Sequence, residues 1–321
     1  MDGVTDALMR RLLTRITPLS YCVTEFVRVS GNVTSAKTFL QDIPELKSGA
    51  RTESGAAVQV QLLGGDPDRL AESAVVACKL GATGIDLNFG CPAPTVNRHD
   101  GGATLLKFPE RIEKIVGAVR KSVPHEIPVS AKLRLGWDDP SAILHNAERA
   151  VRGGAAWITI HGRTKMQGYT PPAYWGPIGE VRRAVGVPVV ANGEIWNVDE
   201  LCRCQDETGC EHFMVGRGVL AEPGMVGECA KLLGIQVGES CVKNCGDSGE
   251  AWHKLLSLVV EMSVAEGESP RRTLSRMKQW LNYAHHRGTV SWFHTVKRLE
   301  DVSTMLHAVR LGASNVEREA A

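Results

Sequence analysis

Hydrophobic and polar positions along this chain repeat one unit: an amphipathic helical stretch, a turn and a short apolar run. One kind of run follows a Gly-Ala-type step, as in Gly81-Ala82-Thr83-Gly84-Ile85-Asp86-Leu87, Gly154-Ala155-Ala156-Trp157-Ile158-Thr159-Ile160 and Gly209-Cys210-Glu211-His212-Phe213-Met214-Val215. The other follows an apolar-Pro-Val step, as in Ile127-Pro128-Val129-Ser130-Ala131-Lys132-Leu133 and Val187-Pro188-Val189-Val190-Ala191-Asn192. The two kinds alternate, and helical patterns such as Ile112, Ile115, Val116 and Val119 lie between them at i, i+3, i+4, i+7. Adding 22–26 and 58–62 makes seven strands joined by crossovers. That order predicts an α/β fold, a (β/α)8 TIM barrel first and an open doubly wound sheet second. No Gly-x-Gly-x-x-Gly follows an early strand, which argues against a dinucleotide-binding fold.

The pattern breaks over 234–249, where glycines and serines surround Cys241 and Cys245. Beyond it the strands stop, and Leu255, Leu258, Val259 and Met262 begin a helical array that runs to about Leu311. The predicted organisation is a catalytic barrel over 1–235, a linker over 236–248 and a small all-helical domain over 249–321.

Composition changes this picture in three places. No apolar run approaches a membrane span, and Met1-Asp2-Gly3-Val4-Thr5-Asp6 has neither the basic start nor the apolar core of a signal peptide. The nine cysteines therefore read as reduced thiols of a cytoplasmic protein. No metal site is predicted. Cys241 and Cys245 supply half of a four-ligand set, and Cys202 and Cys204, two apart on a predicted helix, face different ways. The formal net charge is +1, so a nucleic-acid surface has to be a local patch. One such stretch exists. The 31 residues 269–299 hold Arg271, Arg272, Arg276, Lys278, Arg287, Lys297 and Arg298 and no acid. Trp280, Tyr283, Trp292 and Phe293 are interleaved, with His285, His286 and His294. Basic side chains grip phosphate and aromatics stack on bases. The plainer reading makes Trp280 and Phe293 core, and at least one is expected there.

Polar groups gather where the predicted strands end. These are Glu25, then Gln61, then Asn88 with Cys91, then Lys132 and Arg134, then His161 to Lys165, then Asn192-Gly193-Glu194, then Gly216-Arg217-Gly218. Strand interiors read as apolar. Charged and amide groups converging on one rim are costly unless a ligand uses them. The glycines and arginine after the last two strands occupy the usual phosphate position of a barrel. A flat ring with one polar edge and one phosphate, as in flavin mononucleotide, fits Gln61, Lys132 and that phosphate position. Cys91, between Gly90 and Pro92, belongs to a loop, where it can be a nucleophile, a metal ligand or a proton donor.

Four motifs in this order resemble the tRNA-dihydrouridine synthases: Asp86-Leu87-Asn88-Phe89-Gly90-Cys91-Pro92, Lys132-Leu133-Arg134-Leu135-Gly136-Trp137, His161-Gly162-Arg163-Thr164 and Asn192-Gly193-Glu194-Ile195. Thr24-Glu25-Phe26-Val27-Arg28-Val29 and Met277-Lys278-Gln279-Trp280-Leu281 resemble the C-type branch, which modifies uridine 16 of the D-loop. The resemblance implies FMN, reduced by NADPH or NADH, passing hydride to C6 of a tRNA uracil while Cys91 gives a proton to C5. An unperturbed thiol pKa near ~8.5 keeps that proton in place at neutral pH and still lets it leave. It further implies flavin binding by Met1, Asp2, Gln61, Lys132, His161, Asn192, Gly193, Glu194, Gly216 and Arg217. Substrate contacts fall on Arg28, Asn88, Arg134, Arg163 and Tyr169, with Arg276, Lys278 and Lys297 from the helical domain. The target base has to leave its stack to react, so an open, deep pocket is expected.

The chain departs from the family at its start. The family's first barrel strand and the Ala-Pro before Met1 are missing, and Met1 and Asp2 match the residues that lie under the flavin ring. Two explanations compete: a start placed ~6–8 residues late, about one strand's length, or a chain that is truly short and holds flavin poorly; the intact motifs elsewhere favour the first. Two other functions compete: a flavin barrel acting on a free pyrimidine, and a tRNA-binding remnant without redox activity. The basic helical window argues against the first, and flavin absorbance of the purified protein separates the second. A monomer is expected, with tRNA as its partner and no membrane or metal.

Overall fold

A computed structural model of the chain describes residues 3–238 and 241–312. Its strands are β1 (Tyr21–Val23), β2 (Val27–Arg28), β3 (Ala57–Leu63), β4 (Ile85–Asn88), β5 (Val129–Arg134), β6 (Ile158–His161), β7 (Val189–Asn192) and β8 (His212–Met214). The helices are α1 (Ala7–Ile16), α2 (Ala36–Asp42), α3 (Pro67–Lys79), α4 (Pro94–Asn97), α5 (Pro109–Ser122), α6 (Ala142–Arg152), α7 (Gly176–Ala184) and α8 (Val198–Thr208). They continue with α9 (Arg217–Ala221), α10 (Met225–Leu232), α11 (Gly249–Ala265), α12 (Pro270–Arg287), α13 (Phe293–Val296) and α14 (Val302–Leu311).

All eight strands form one parallel sheet, and from β3 to β8 each pairs with the next in chain order, as helical crossovers require. β1 and β2 share one position, both pairing with β3 on either side of a break at Thr24–Phe26. At the break Thr24 donates its N–H to the Gln59 carbonyl (3.0 Å), and its hydroxyl accepts the Gln61 N–H (3.0 Å), so a side chain replaces a ladder partner. Among the described residues the sheet ends at the β1/β2 position and at β8.

The strand interiors are half polar, which corrects the sequence expectation. One set of alternate positions is apolar and buried: Val58, Val60, Leu62, Ile85, Leu87, Val129, Ala131, Leu133, Ile158 and Ile160. Successive side chains on a strand point to opposite faces. The other face therefore carries Gln59, Gln61, Asp86, Ser130 and Thr159, all buried, and ends in Asn88, Lys132, His161 and Asn192. The predicted helical stripe Ile112, Ile115, Val116 and Val119 is fully buried on α5. α3 begins as its sequence dictates: Asp66 caps the Arg69 N–H at 2.9 Å, and Pro67 occupies the first turn.

The described residues fall into two compact units. The first holds the residues up to Ala7, Ser20–Ile195 and Asp199–Val215, and so the whole sheet. The second holds Leu8–Leu19, Trp196–Val198 and the chain from Gly216 on. Its centre is aromatic: Trp252 and Trp280 meet edge to face at 6.0 Å, and the Trp280 indole donates to the Leu220 carbonyl at 2.6 Å. Trp292 and Phe293 are buried as well. The described part of the 236–248 segment packs on this unit. Cys245 donates its N–H to Glu222 at 2.8 Å, and Val242 donates its own to the Ile16 carbonyl at 3.0 Å.

Candidate active site at the strand ends

Cys91 follows β4 and is held through its backbone from both sides. Its N–H and that of Gly90 both donate to the Asn88 side-chain oxygen, at 3.0 and 2.9 Å. Its carbonyl accepts from the Ala103 N–H (3.0 Å) and the Asn97 amide (3.2 Å). Gly102 permits this closure. It has φ +58, and a Cβ there would lie 2.8 Å from the Cys91 carbonyl oxygen and 2.8 Å from Val96. Arg134, buried at the end of β5, donates through Nε to the Gly90 carbonyl at 2.8 Å and through a second nitrogen to Thr164 (3.0 Å) and Gly168 (2.8 Å). It thus ties the Cys91 loop to the loop after β6. The Cys91 side chain stays partly exposed.

A buried polar chain supports that loop from below. Asn88 donates to the Gln61 side-chain oxygen (2.8 Å), and Gln61 donates to Asp86 (2.7 Å). Ser130 donates to the other Asp86 oxygen (2.5 Å), and Gln59 donates to Ser130 (3.0 Å). Burial pushes the Asp86 carboxyl up, against the Ser130 and Gln61 hydrogen bonds and the Lys132 charge, which favour its ionised form. Sequence reading misses Gln59, Asp86 and Ser130 as supports. Their signal is present, as polar side chains at every second position of otherwise apolar strands.

Lys132 ends its own layer of this face. Its ammonium donates to the Asn192 side-chain oxygen at 2.9 Å, and Asn192 donates to the Met214 carbonyl at 2.7 Å. Burial first, and the Arg134 charge second, lower the Lys132 pKa to about 8, with Asp86 opposing. Gly193 has φ +113, a conformation that strains other residues, and lies beside the His161 ring, which a Cβ there would approach to 3.4 Å. Glu194 is also left-handed, at φ 55. Arg163 holds it there with a 2.6 Å ion pair, while its Nε donates to the Thr170 carbonyl at 2.8 Å. Arg163 is fully buried and faces inward. In this arrangement it shapes the β7 loop and does not present a surface to RNA.

The remaining predicted residues divide by exposure. Tyr169 is 55% exposed, edge-on to the His161 ring at 6.3 Å and with the Arg134 guanidinium 5.1 Å from its ring centre. Arg28 is exposed and donates to the Thr95 carbonyl at 3.2 Å. In the second unit Gly216 and Arg217 open α9, and the Arg217 guanidinium lies 5.1 Å from the Trp196 ring centre. Lys278 is partly exposed and Lys297 exposed. Arg276 is buried, paired with Glu268 at 2.9 Å. Met1 and Asp2 lie outside the described residues. Among the described residues no cluster of His, Cys, Asp or Glu could hold a metal, and no helix is long and apolar enough to cross a membrane.

The dihydrouridine synthase (Dus) family model matches residues 1–316. The chain belongs to the dihydrouridine synthase family. Relatives named tRNA-dihydrouridine(16) synthase match it over most of both chains. The one from Pseudomonas putida is 46% identical over 284 residues, 88% of this chain and 85% of that protein. The one from Pseudomonas syringae pv. tomato is 41% identical over 98% of this chain and 97% of that protein. The one from Ralstonia nicotianae is 37% identical over 100% and 97%.

Proposed function

We propose that this chain reduces uridine 16 of tRNA to 5,6-dihydrouridine, using FMN and NADPH or NADH, with Cys91 as proton donor. Family membership and the names of the relatives support the reaction. The observation that carries the site is the fixing of Cys91 at a strand end beside a hydrogen-bonded polar face.

The residues fit a flavin. A ring edge made of carbonyl and N–H groups calls for a cation and amides, and Lys132, Gln61 and Asn192 offer these on adjoining layers of one face. Gly193 leaves room for backbone approach beside His161. We assign Gln61, Lys132, His161, Asn192, Gly193 and Glu194 to holding the cofactor, and by family resemblance Gly216, Arg217, Met1 and Asp2 as well, the last two lying outside the described residues. When bound, the flavin supplies the hydride that goes to C6 of the uracil.

The chain's own residues do the rest. Cys91 Sγ holds a proton and gives it to C5, and the thiolate regains one from water. The C5–C6 double bond is thereby saturated by one hydride and one proton. Asn88 fixes the Cys91 backbone, and Arg134 locks the loop and places Tyr169 at its exposed edge, where the ring can pack on the base or its neighbour. Arg28, Lys278 and Lys297 face the rest of the tRNA, with Arg163 and Arg276 acting from behind the surface. The fold proposed is a (β/α)8 barrel, of which the parallel sheet from the β1/β2 position to β8 is the described part. The organisation proposed is the catalytic barrel over 1–235, a linker over 236–248 and a tRNA-binding helical domain over 249–321, in a cytoplasmic monomer.

The test is direct. Unmodified tRNA transcript, FMN-loaded protein and NADPH are incubated, and dihydrouridine is mapped. Dihydrouridine at position 16 is the expected product, and its absence there under NADPH turnover would remove the reading.

A further inference from the structure

Three loops of the first unit meet at a half-exposed indole that the mechanism above does not use. Trp137 follows β5. The Lys107 ammonium lies 3.8 Å from its ring centre and that of Lys165 4.3 Å from it. Lys107 closes the short 3-10 segment Gly102–Lys107, whose Ala103 N–H binds the Cys91 carbonyl. Lys165 lies in the loop after β6, where its N–H donates to the Gly136 carbonyl (2.9 Å) and the Met166 N–H donates to that of Trp137 (2.9 Å). The backbone thus fixes two of the three partners against each other.

Charge makes this arrangement informative. Among the described residues neither lysine makes an ion pair. The neighbouring acids are turned elsewhere. Asp138 accepts the Asp139 N–H at 3.0 Å, and Asp139 accepts from the Ser141 N–H at 2.9 Å and its hydroxyl at 2.7 Å. Two ammoniums directed at one ring repel each other, and the ring's negative face offsets that only in part. A bound anion would offset that repulsion further. The loop that carries Lys165 also carries Met166, 62% exposed, and Tyr169, so the surface beside the two charges is open and apolar as well as basic.

We propose that Lys107, Trp137 and Lys165 form a phosphate-binding site for the bound RNA, holding a phosphodiester near the target nucleotide on the Cys91 side of the sheet. This rests on tRNA being the substrate. A phosphodiester offers two free oxygens for the two ammoniums, and the indole supplies a flat wall for the sugar or an unstacked base.

The experiment measures binding of an unmodified tRNA transcript between 50 and 200 mM KCl. It compares the unaltered protein, the K107Q/K165Q double variant and the K107R/K165R double variant. The glutamine variant should bind more weakly, with a log-affinity against log-salt slope shallower by about 0.7, the effect of neutralising one phosphate fewer in a single-stranded segment. KM for tRNA should rise more than kcat falls, and the arginine variant should recover both affinity and slope. Unchanged affinity and slope in the glutamine variant would overturn the site. A KM increase for NADPH without one for NADH, at unchanged tRNA binding, would also overturn it, by giving the lysines to the reductant's extra phosphate. The two proposals fail separately. Loss of binding in the glutamine variant, with no dihydrouridine made by the unaltered protein, keeps this site and removes the reaction.

Discussion

The strand-end site and the basic helical window use polar residues in opposite ways. Around Cys91 the polar groups are mostly buried and bonded to one another: Gln59, Ser130, Asp86, Gln61 and Asn88 form one run, and Arg163 with Glu194 another. In the window 269–299 most of the charges are exposed, while Trp280, Trp292 and Phe293 are core. The first region has geometry that no single exposed residue provides. The second has most of its charge at exposed positions, and of its four interleaved aromatics Tyr283 alone is partly exposed. Placing a proton requires the first kind of construction, whereas attracting a polyanion needs only the second.

The largest effect that would test this contrast is at Cys91. Cys91→Ala should retain flavin and fold, and lower dihydrouridine formation by about two to four orders of magnitude, the usual contribution of a positioned acid. Equal rates in variant and parent would remove the thiol from the chemistry and make the loop around it purely structural.

Arg163→Ala asks whether the site depends on its buried pair. The substitution leaves Glu194 without its cation in a left-handed conformation, and a broken buried pair costs about 3–5 kcal/mol. Urea unfolding should report that loss, and flavin retention should fall with it. A variant as stable as the parent, with weaker tRNA binding alone, would show instead that Arg163 acts outward on RNA.

Acidity gives a smaller and sharper effect. The Lys132 pKa, about 8 in the fold, lies below its unfolded value. Folding therefore opposes protonation: the charged lysine costs stability at every pH below about 8, and that cost disappears as pH rises through 8 toward the unfolded pKa. Flavin affinity should move the other way, weakening above pH 8 as the ammonium is lost. Titrating FMN retention from pH 6.5 to 9.5 checks this, and Lys132→Met should flatten the profile. A profile that Lys132→Met leaves unchanged would assign the pH dependence to another group.

The smallest effects belong to the helical window, and they separate charge from structure within it. Reversing the exposed Lys297 and Arg298 to glutamate should weaken tRNA binding and make its salt slope shallower by about 0.7 for each phosphate no longer neutralised, with thermal stability unchanged. Arg276→Ala, which breaks a buried pair with Glu268, should lower the melting temperature more than it changes that slope. If both variants behave alike, the window is not divided in the way its exposure indicates.

Much of the fold is legible in the sequence alone. The alternating apolar runs locate β3 to β8, and the stripe on α5 can be read residue by residue. The motif order places Cys91, Lys132, His161 and Asn192 at strand ends, where they are. At Arg134, Arg163 and Arg276 the sequence reads as charge available to RNA, and all three are buried. A guanidinium carries the same five donors whether it meets an RNA phosphate, a backbone carbonyl or a carboxylate, so residue type alone does not say which way it turns.

The sequence by itself determined the parallel order of the strands, the rim where polar groups gather and the cysteine among its residues. Those follow from local periodicity and from turns that Gly and Pro enforce, and both are properties of neighbours in the chain. Only the tertiary structure decided that Asp86 and Ser130 support the Cys91 loop, that Arg163 bends the β7 loop through Glu194, and that two lysines share the Trp137 ring. Each of these joins residues from different strands or loops. Their energies depend on distance and burial, which exist only once the sheet has brought distant segments side by side.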